Sequence, residues 1–95
     1  MHVAARPQPV TEHAPSTAAI YSQFCASCHD DGQYGAPVRG NIEDWDRFPR
    51  DRRQLLELAI AGNKAMIPRG GCADCSDEQL LELIEFVIPQ SWAEQ

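Results

Sequence analysis

The chain has 95 residues, and its 8 basic and 14 acidic side chains give a formal net charge of −6. A chain of this length forms one domain and buries only about 60–65% of the surface that its unfolded form exposes, so its hydrophobic core is small. The acidic balance excludes a basic nucleic-acid-binding module, and no run approaches the roughly 18 apolar residues of a membrane span.

The first fifteen residues are predicted to form a tail or linker. They include Pro7, Pro9 and Pro15 and show no apolar periodicity, and proline breaks a helix. The segment also lacks the continuous apolar stretch of a secretory signal peptide, so we expect no signal peptide in this chain. We therefore divide the chain into a tail at 1–15 and a folded domain at 16–95.

A first helix is predicted from about Ser16 to Cys28. The hydroxyl of Ser16 is a good N-cap, because it can accept a backbone N–H of the first turn. Ile20, Phe24 and Cys28 follow at a spacing that places them on one face of a helix. The stretch from residue 30 to residue 49 contains glycine and proline without a sustained period, which indicates a loop with a helical turn near 43–48.

A second helix is predicted over Arg52–Ala61. Asp51 can cap it, Gln54 at the third helical position completes a capping-box pattern, and Gly62 follows where a left-handed residue is favoured. We expect the buried stripe of this helix to consist of Leu55, Leu58 and Ala59.

A third helix gives the clearest pattern. Ser76 caps it, Gln79 lies at the third helical position, and Pro89 ends it. Its apolar face is expected to contain Leu80, Leu81, Ile84, Val87 and Ile88. Because no segment has the alternating pattern of a β-strand, the predicted fold class is all-α, with three main helices and long loops.

The run from Cys25 to His29 reads C-x-x-C-H, which is the attachment signature of a c-type haem. Cys25 and Cys28 at a helix end can each add to one vinyl group of the porphyrin. His29 then lies beneath the iron and can offer a ring nitrogen as an axial ligand. We expect one haem c, bound covalently through the two cysteines. It would supply apolar interior that the small core lacks.

Met66 is the candidate for the second axial ligand. Apart from Met1 in the tail it is the only methionine, and it lies in a loop bounded by glycine and proline. A thioether is a soft ligand that favours ferrous iron and raises the reduction potential. The alternative interpretation is that Met66 fills space in the core.

Cys72 and Cys75 form a second C-x-x-C pair without a following histidine, so they do not bind a second haem. The pair is compatible with a disulfide that holds the Met66 loop to the third helix. It is also compatible with a redox-active pair, although no βαβ pattern surrounds it. A zinc site that combines it with Cys25 and Cys28 is the third interpretation.

The sequence resembles the class I c-type cytochromes, and specifically the cytochrome c5 family, from about residue 17 to residue 88. The resemblance is carried by IYSQFCASCHDDG, by YGAPVRG and by LELAIAGNKAMIPRGGCADCSDEQLLELIEFV. It implies a small cytochrome c fold around one haem, with Met66 as an axial ligand and a Cys72–Cys75 disulfide. It also implies that the backbone carbonyl of Pro37 accepts a hydrogen bond from the ring of His29.

The predicted function is electron transfer, in which a haem ligated by His29 and Met66 carries single electrons between redox proteins. We expect contact through an exposed haem edge, a monomer or weak dimer, a periplasmic location and no enzymatic activity. Three alternatives remain at this point. The chain could be a haem domain of a larger redox enzyme, a haem protein with open iron that binds ligands or acts as a peroxidase, or a zinc-binding interaction module.

Overall fold

The N-terminal helical stretch carries the C-x-x-C-H motif. The computed structural model describes residues 15–94, so the predicted tail lies outside the described residues except for Pro15. The stretch consists of α1 (Thr17–Ile20), a π-helical segment (Tyr21–Cys25) and α2 (Ala26–His29). Ser16 caps α1 by accepting a hydrogen bond from the backbone N–H of Ala19 at 3.1 Å. The predicted first helix is confirmed and extends to His29.

The remaining helices are α3 (Ile42–Trp45), α4 (Arg52–Ala61) and α5 (Asp77–Val87). Short 3₁₀ helices lie at Gln33–Gly35, Pro68–Gly71 and Gln90–Glu94. Residues 15–94 contain no β-strand, and α3 accounts for the helical turn that the sequence predicts near residue 43.

The predicted N-caps of the two longer helices are present, but the reciprocal bond of the capping box predicted for Asp51 and Gln54 is not; of these two helices, only α5 has a capping box. Asp51 accepts a hydrogen bond from the backbone N–H of Gln54 at 3.1 Å. Ser76 and Gln79 form a reciprocal capping box, with the two bonds at 3.0 and 2.8 Å. Each cap satisfies backbone donors that the first turn of a helix leaves without a partner.

The core forms where α5 packs against α1 on one side and α4 on the other. Its buried apolar side chains, apart from the second cysteine pair, are Ile20, Tyr21, Trp45, Leu55, Leu80, Leu83, Val87, Ile88 and Trp92. Trp92 is 1% exposed, so the segment that follows α5 folds back over the core and closes it.

The prediction that Leu58 belongs to the buried stripe of α4 is wrong. Leu55 is buried, whereas Leu58 is 51% exposed and lines an open groove with Pro49, Gln54 and Glu57. Leu83 of α5 is buried although the sequence pattern did not place it in the core. The periodicity of a helix identifies an apolar sector, but the neighbouring elements decide which part of it is covered.

Candidate haem site

Two free cysteine thiols lie at the end of the N-terminal helical stretch. Cys25 ends the π-helical segment and Cys28 lies in α2, and both side chains are half-buried. Burial raises the pKa of the Cys25 thiol, and the neighbouring Cys28 raises it further. Neither cysteine forms a disulfide, so both sulfur atoms are available for thioether bonds.

The ring of His29 is oriented by a hydrogen bond to the loop that follows it. Its Nδ1 lies 2.9 Å from the backbone oxygen of Pro37, as the resemblance to cytochromes predicts. A carbonyl oxygen only accepts, so Nδ1 carries the proton and donates it, and Nε2 keeps a free lone pair. His29 therefore presents Nε2 as a metal ligand, with its tautomer set by the protein.

The indole ring of Trp45 faces the ring of His29. The ring of Trp45 lies nearly parallel to the ring of His29, with 6.3 Å between centroids and 14° between planes. Trp45 Nε1 donates to the backbone oxygen of Val38 at 3.1 Å, which ties Trp45 to the same loop. The loop from His29 to Trp45 thus positions the imidazole in two ways: through the hydrogen bond to Pro37 and through the indole ring that faces it.

The loop after α4 brings Met66 beside the first cysteine. Gly70 lies between them, because a Cβ placed on it would be 3.7 Å from Met66 Cε and 3.9 Å from Cys25 Sγ. The 3₁₀ helix that contains Gly70 packs against the π-helical segment that ends at Cys25. The fold therefore places the thioether in the same region as the motif that the sequence singles out.

The donor groups fit a haem c. Two thiols three residues apart can form the thioether links, an imidazole nitrogen with a defined lone pair can bind iron, and a thioether lies near them. Within the part of the chain that the structure describes, Trp92 Nε1 is the buried side-chain nitrogen that lacks a hydrogen-bond partner. A haem carboxylate is a group that could accept a hydrogen bond from this N–H.

Known proteins are similar to this chain in sequence and in fold. A family model described as cytochrome c oxidase, cbb3-type, subunit III matches residues 12–87. Cytochrome c5 from Ectopseudomonas mendocina is 40% identical over 75 residues, which cover 76% of this chain and 86% of that protein. The chain belongs to the cytochrome c5 family of class I c-type cytochromes. It is a monohaem electron carrier rather than an enzyme, and it binds haem c covalently through Cys25 and Cys28.

Further comparisons agree with this family. Cytochrome c-551 from Halorhodospira halophila is 41% identical over 64 residues, which cover 67% of this cytochrome and 80% of the relative. A chain in the crystal structure of an electron transfer complex of nitrite reductase with cytochrome c superimposes with a TM-score of 0.69 at 28% identity. That match covers 78% of this cytochrome and 91% of the other chain, and it confirms the small all-α fold.

The second cysteine pair of this cytochrome is a disulfide. Cys72 and Cys75 are bonded to each other, so they are not available as zinc thiolates. No group of three or more potential metal-binding side chains among His, Cys, Asp and Glu occurs in residues 15–94. The four-cysteine zinc interpretation is therefore wrong.

No helix in the same part of the chain is long and apolar enough to cross a membrane.

Arg69 connects the Met66 loop to the disulfide. Its Nη2 donates to the backbone oxygen of Cys75 at 2.7 Å and to Asp77 Oδ1 at 3.0 Å. Arg69 adopts a positive φ of 58°, a conformation that costs a non-glycine residue free energy unless its surroundings hold it there. Sequence reasoning did not single out Arg69, because nothing in the local pattern distinguishes it from a solvated cation.

Proposed function

We propose that His29 and Met66 are the two axial ligands of the haem iron in this cytochrome. The observation that carries the proposal is the bond between His29 Nδ1 and the oxygen of Pro37, which directs Nε2 to act as the ligand. The position of Met66 beside Cys25 supports the second ligand. Haem c, when bound, supplies a one-electron iron couple, and thioether ligation favours its ferrous state.

The side chains at this site restrict the chemistry that a bound haem could carry out. Cys25 and Cys28 hold the cofactor without the need for an enclosing core, and the hydrogen bond from His29 keeps its ring from rotating. If His29 and Met66 both bound the iron, they would leave no coordination position for a substrate or for peroxide. The arrangement therefore supports electron transfer rather than catalysis at open iron.

We infer that the partners are redox proteins that make small, transient contacts with an exposed haem edge, and that the cytochrome acts as a monomer or weak dimer. The similarity to a chain from a complex of nitrite reductase with cytochrome c supports a redox protein as partner. The net charge of −6 would steer the cytochrome toward basic surfaces, so association should slow as ionic strength rises.

A periplasmic location is the third part of the proposal. The Cys72–Cys75 disulfide suits an oxidising compartment, since cytosolic thiols are kept reduced. The relatives named as cytochromes c5 and c-551 are consistent with this location. Fractionation of the producing cells, followed by haem staining, tests it directly.

Absorption spectra of the ferric and ferrous protein, together with the variant Met66→Ala, test the axial ligands. The variant should keep its covalent haem, lose the weak long-wavelength ferric band that marks a sulfur–iron bond, show a lower reduction potential and bind cyanide readily. Ile67→Ala is the matched control, because this neighbouring side chain is 62% exposed and should leave all four properties unchanged. An unchanged band and potential in Met66→Ala would show that Met66 is not a ligand.

A further inference from the structure

Asn63 binds both backbone polar groups of Met66. Its side-chain Oδ1 accepts hydrogen bonds from the backbone N–H of Ala65 and from that of Met66, each at 2.8 Å. Its own backbone N–H donates to the backbone oxygen of Met66, also at 2.8 Å. One residue therefore closes the turn in which Met66 sits, from both sides of the Met66 peptide unit.

Apart from Asn63, contacts between loop segments hold this backbone: Gly62 lies against the carbonyl oxygen of Met66, and Arg69 bonds Cys75 and Asp77. Met66 lies between the end of α4 at Ala61 and the 3₁₀ helix Pro68–Gly71, so no regular helix fixes its position. Ala65 and Ile67 on either side of it are exposed. Exposed loop segments with few buried contacts are the parts of a protein that open most easily. The three hydrogen bonds of Asn63 act directly on the Met66 peptide unit, so they constrain the point from which the Met66 side chain extends.

We propose that Asn63 is a positioning residue for Met66, and that its carboxamide oxygen keeps the thioether in reach of the iron. The inference rests on the proposed ligation by Met66. The oxygen is the part that matters, since it accepts two N–H groups at once. An aspartate at the same position retains such an acceptor, whereas alanine retains only the backbone bond.

The experiment compares three variants of the haem-loaded protein: Asn63→Ala, Asn63→Asp and Ser16→Ala. Ser16 is the control, because its Oγ also accepts a backbone N–H, that of Ala19 at 3.1 Å, but it caps α1 outside the Met66 loop and outside the loop from His29 to Trp45. The readouts are the long-wavelength ferric band, the rate of cyanide binding to the ferric protein and hydrogen exchange at the Met66 amide.

Asn63→Ala should retain covalent haem, weaken the ferric band and bind cyanide about tenfold faster, a factor equivalent to about 1.4 kcal/mol, which is within the range of two lost hydrogen bonds. The Met66 amide should exchange faster by a similar factor. Asn63→Asp should behave like the unsubstituted protein in all three measurements. Ser16→Ala should also leave all three unchanged, although it lowers overall stability.

The outcomes separate this inference from the proposed ligation. If Met66→Ala abolishes the ferric band while Asn63→Ala and Ser16→Ala behave alike, Asn63 has no positioning role and the ligation stands. If Asn63→Asp behaves like Asn63→Ala in the three measurements, the acceptor oxygen is not the feature that matters and the inference is overturned. If Met66→Ala leaves the band unchanged, both the ligation and the role of Asn63 are wrong.

Discussion

Gly62 ends α4 at a point where the chain leaves no room for a side chain. Its φ is 70° and its ψ is −175°, a conformation that essentially only glycine adopts. A Cβ at this position would lie 2.6 Å from the backbone oxygen of Met66 and 2.7 Å from the backbone nitrogen of Pro68. Both contacts are with backbone atoms, so they cannot be relieved by the rotation of a flexible side chain.

The substitution Gly62→Ala should therefore destabilise the protein in two ways. The backbone conformation costs alanine about 1–3 kcal/mol, and the overpacking adds about 1–3 kcal/mol. Together they should lower the free energy of unfolding by about 2–6 kcal/mol. Because the clash is with Met66 itself, any relief by movement of the loop should also weaken the ferric sulfur–iron band.

Denaturant unfolding of the haem-loaded protein measures the stability, and the ferric spectrum measures the ligation. Gly40→Ala is the matched control: its φ of 76° is also positive, but a Cβ there would meet no atom within 4 Å. It should lose only the conformational part, about 1–2 kcal/mol, and keep its spectrum. Equal losses in the two variants, with an unchanged band in both, would refute the argument from close packing.

Two further predictions concern a buried hydroxyl and the disulfide. The hydroxyl of Tyr21 donates to Asp30 Oδ1 at 2.5 Å, and burial, followed by this hydrogen bond, raises the pKa of Tyr21. Since the folded-state pKa is raised, its stabilising contribution is present below the ordinary value of about 10 and is lost as pH rises above it. In an ultraviolet pH titration, Tyr21→Phe should therefore lose no tyrosinate absorbance near pH 10 relative to the unsubstituted protein, because Tyr21 ionises only at higher pH. A smaller absorbance of Tyr21→Phe at that pH would contradict the raised pKa. Replacing both Cys72 and Cys75 by serine should lower the free energy of unfolding by about 2 kcal/mol, because the closed loop is short. Haem should remain attached, and a loss of covalent haem from this variant would count against a purely structural disulfide.

The helix starts and the attachment motif were readable from the sequence because they are local. Ser16, Asp51 and Ser76 each bond a backbone N–H three residues further along, so a short sequence window contains both partners. The C-x-x-C-H motif is local in the same sense. The bond from His29 to Pro37 joins residues eight positions apart, and only the resemblance to known cytochromes predicted it.

Other features could be seen only in the tertiary structure. The contact of Gly62 with the Met66–Pro68 backbone, the bonds of Arg69 to the disulfide loop and the exposure of Leu58 all depend on how separate segments meet in space. The π-helical turn before Cys25 was also not evident, because its residues have ordinary helical propensities. Local chemistry thus determined where the helices begin and which cysteines take the haem. Packing between segments that are distant in the sequence decided how the Met66 loop is held. The sequence contains the residues of such a contact, but it does not show which of them meet.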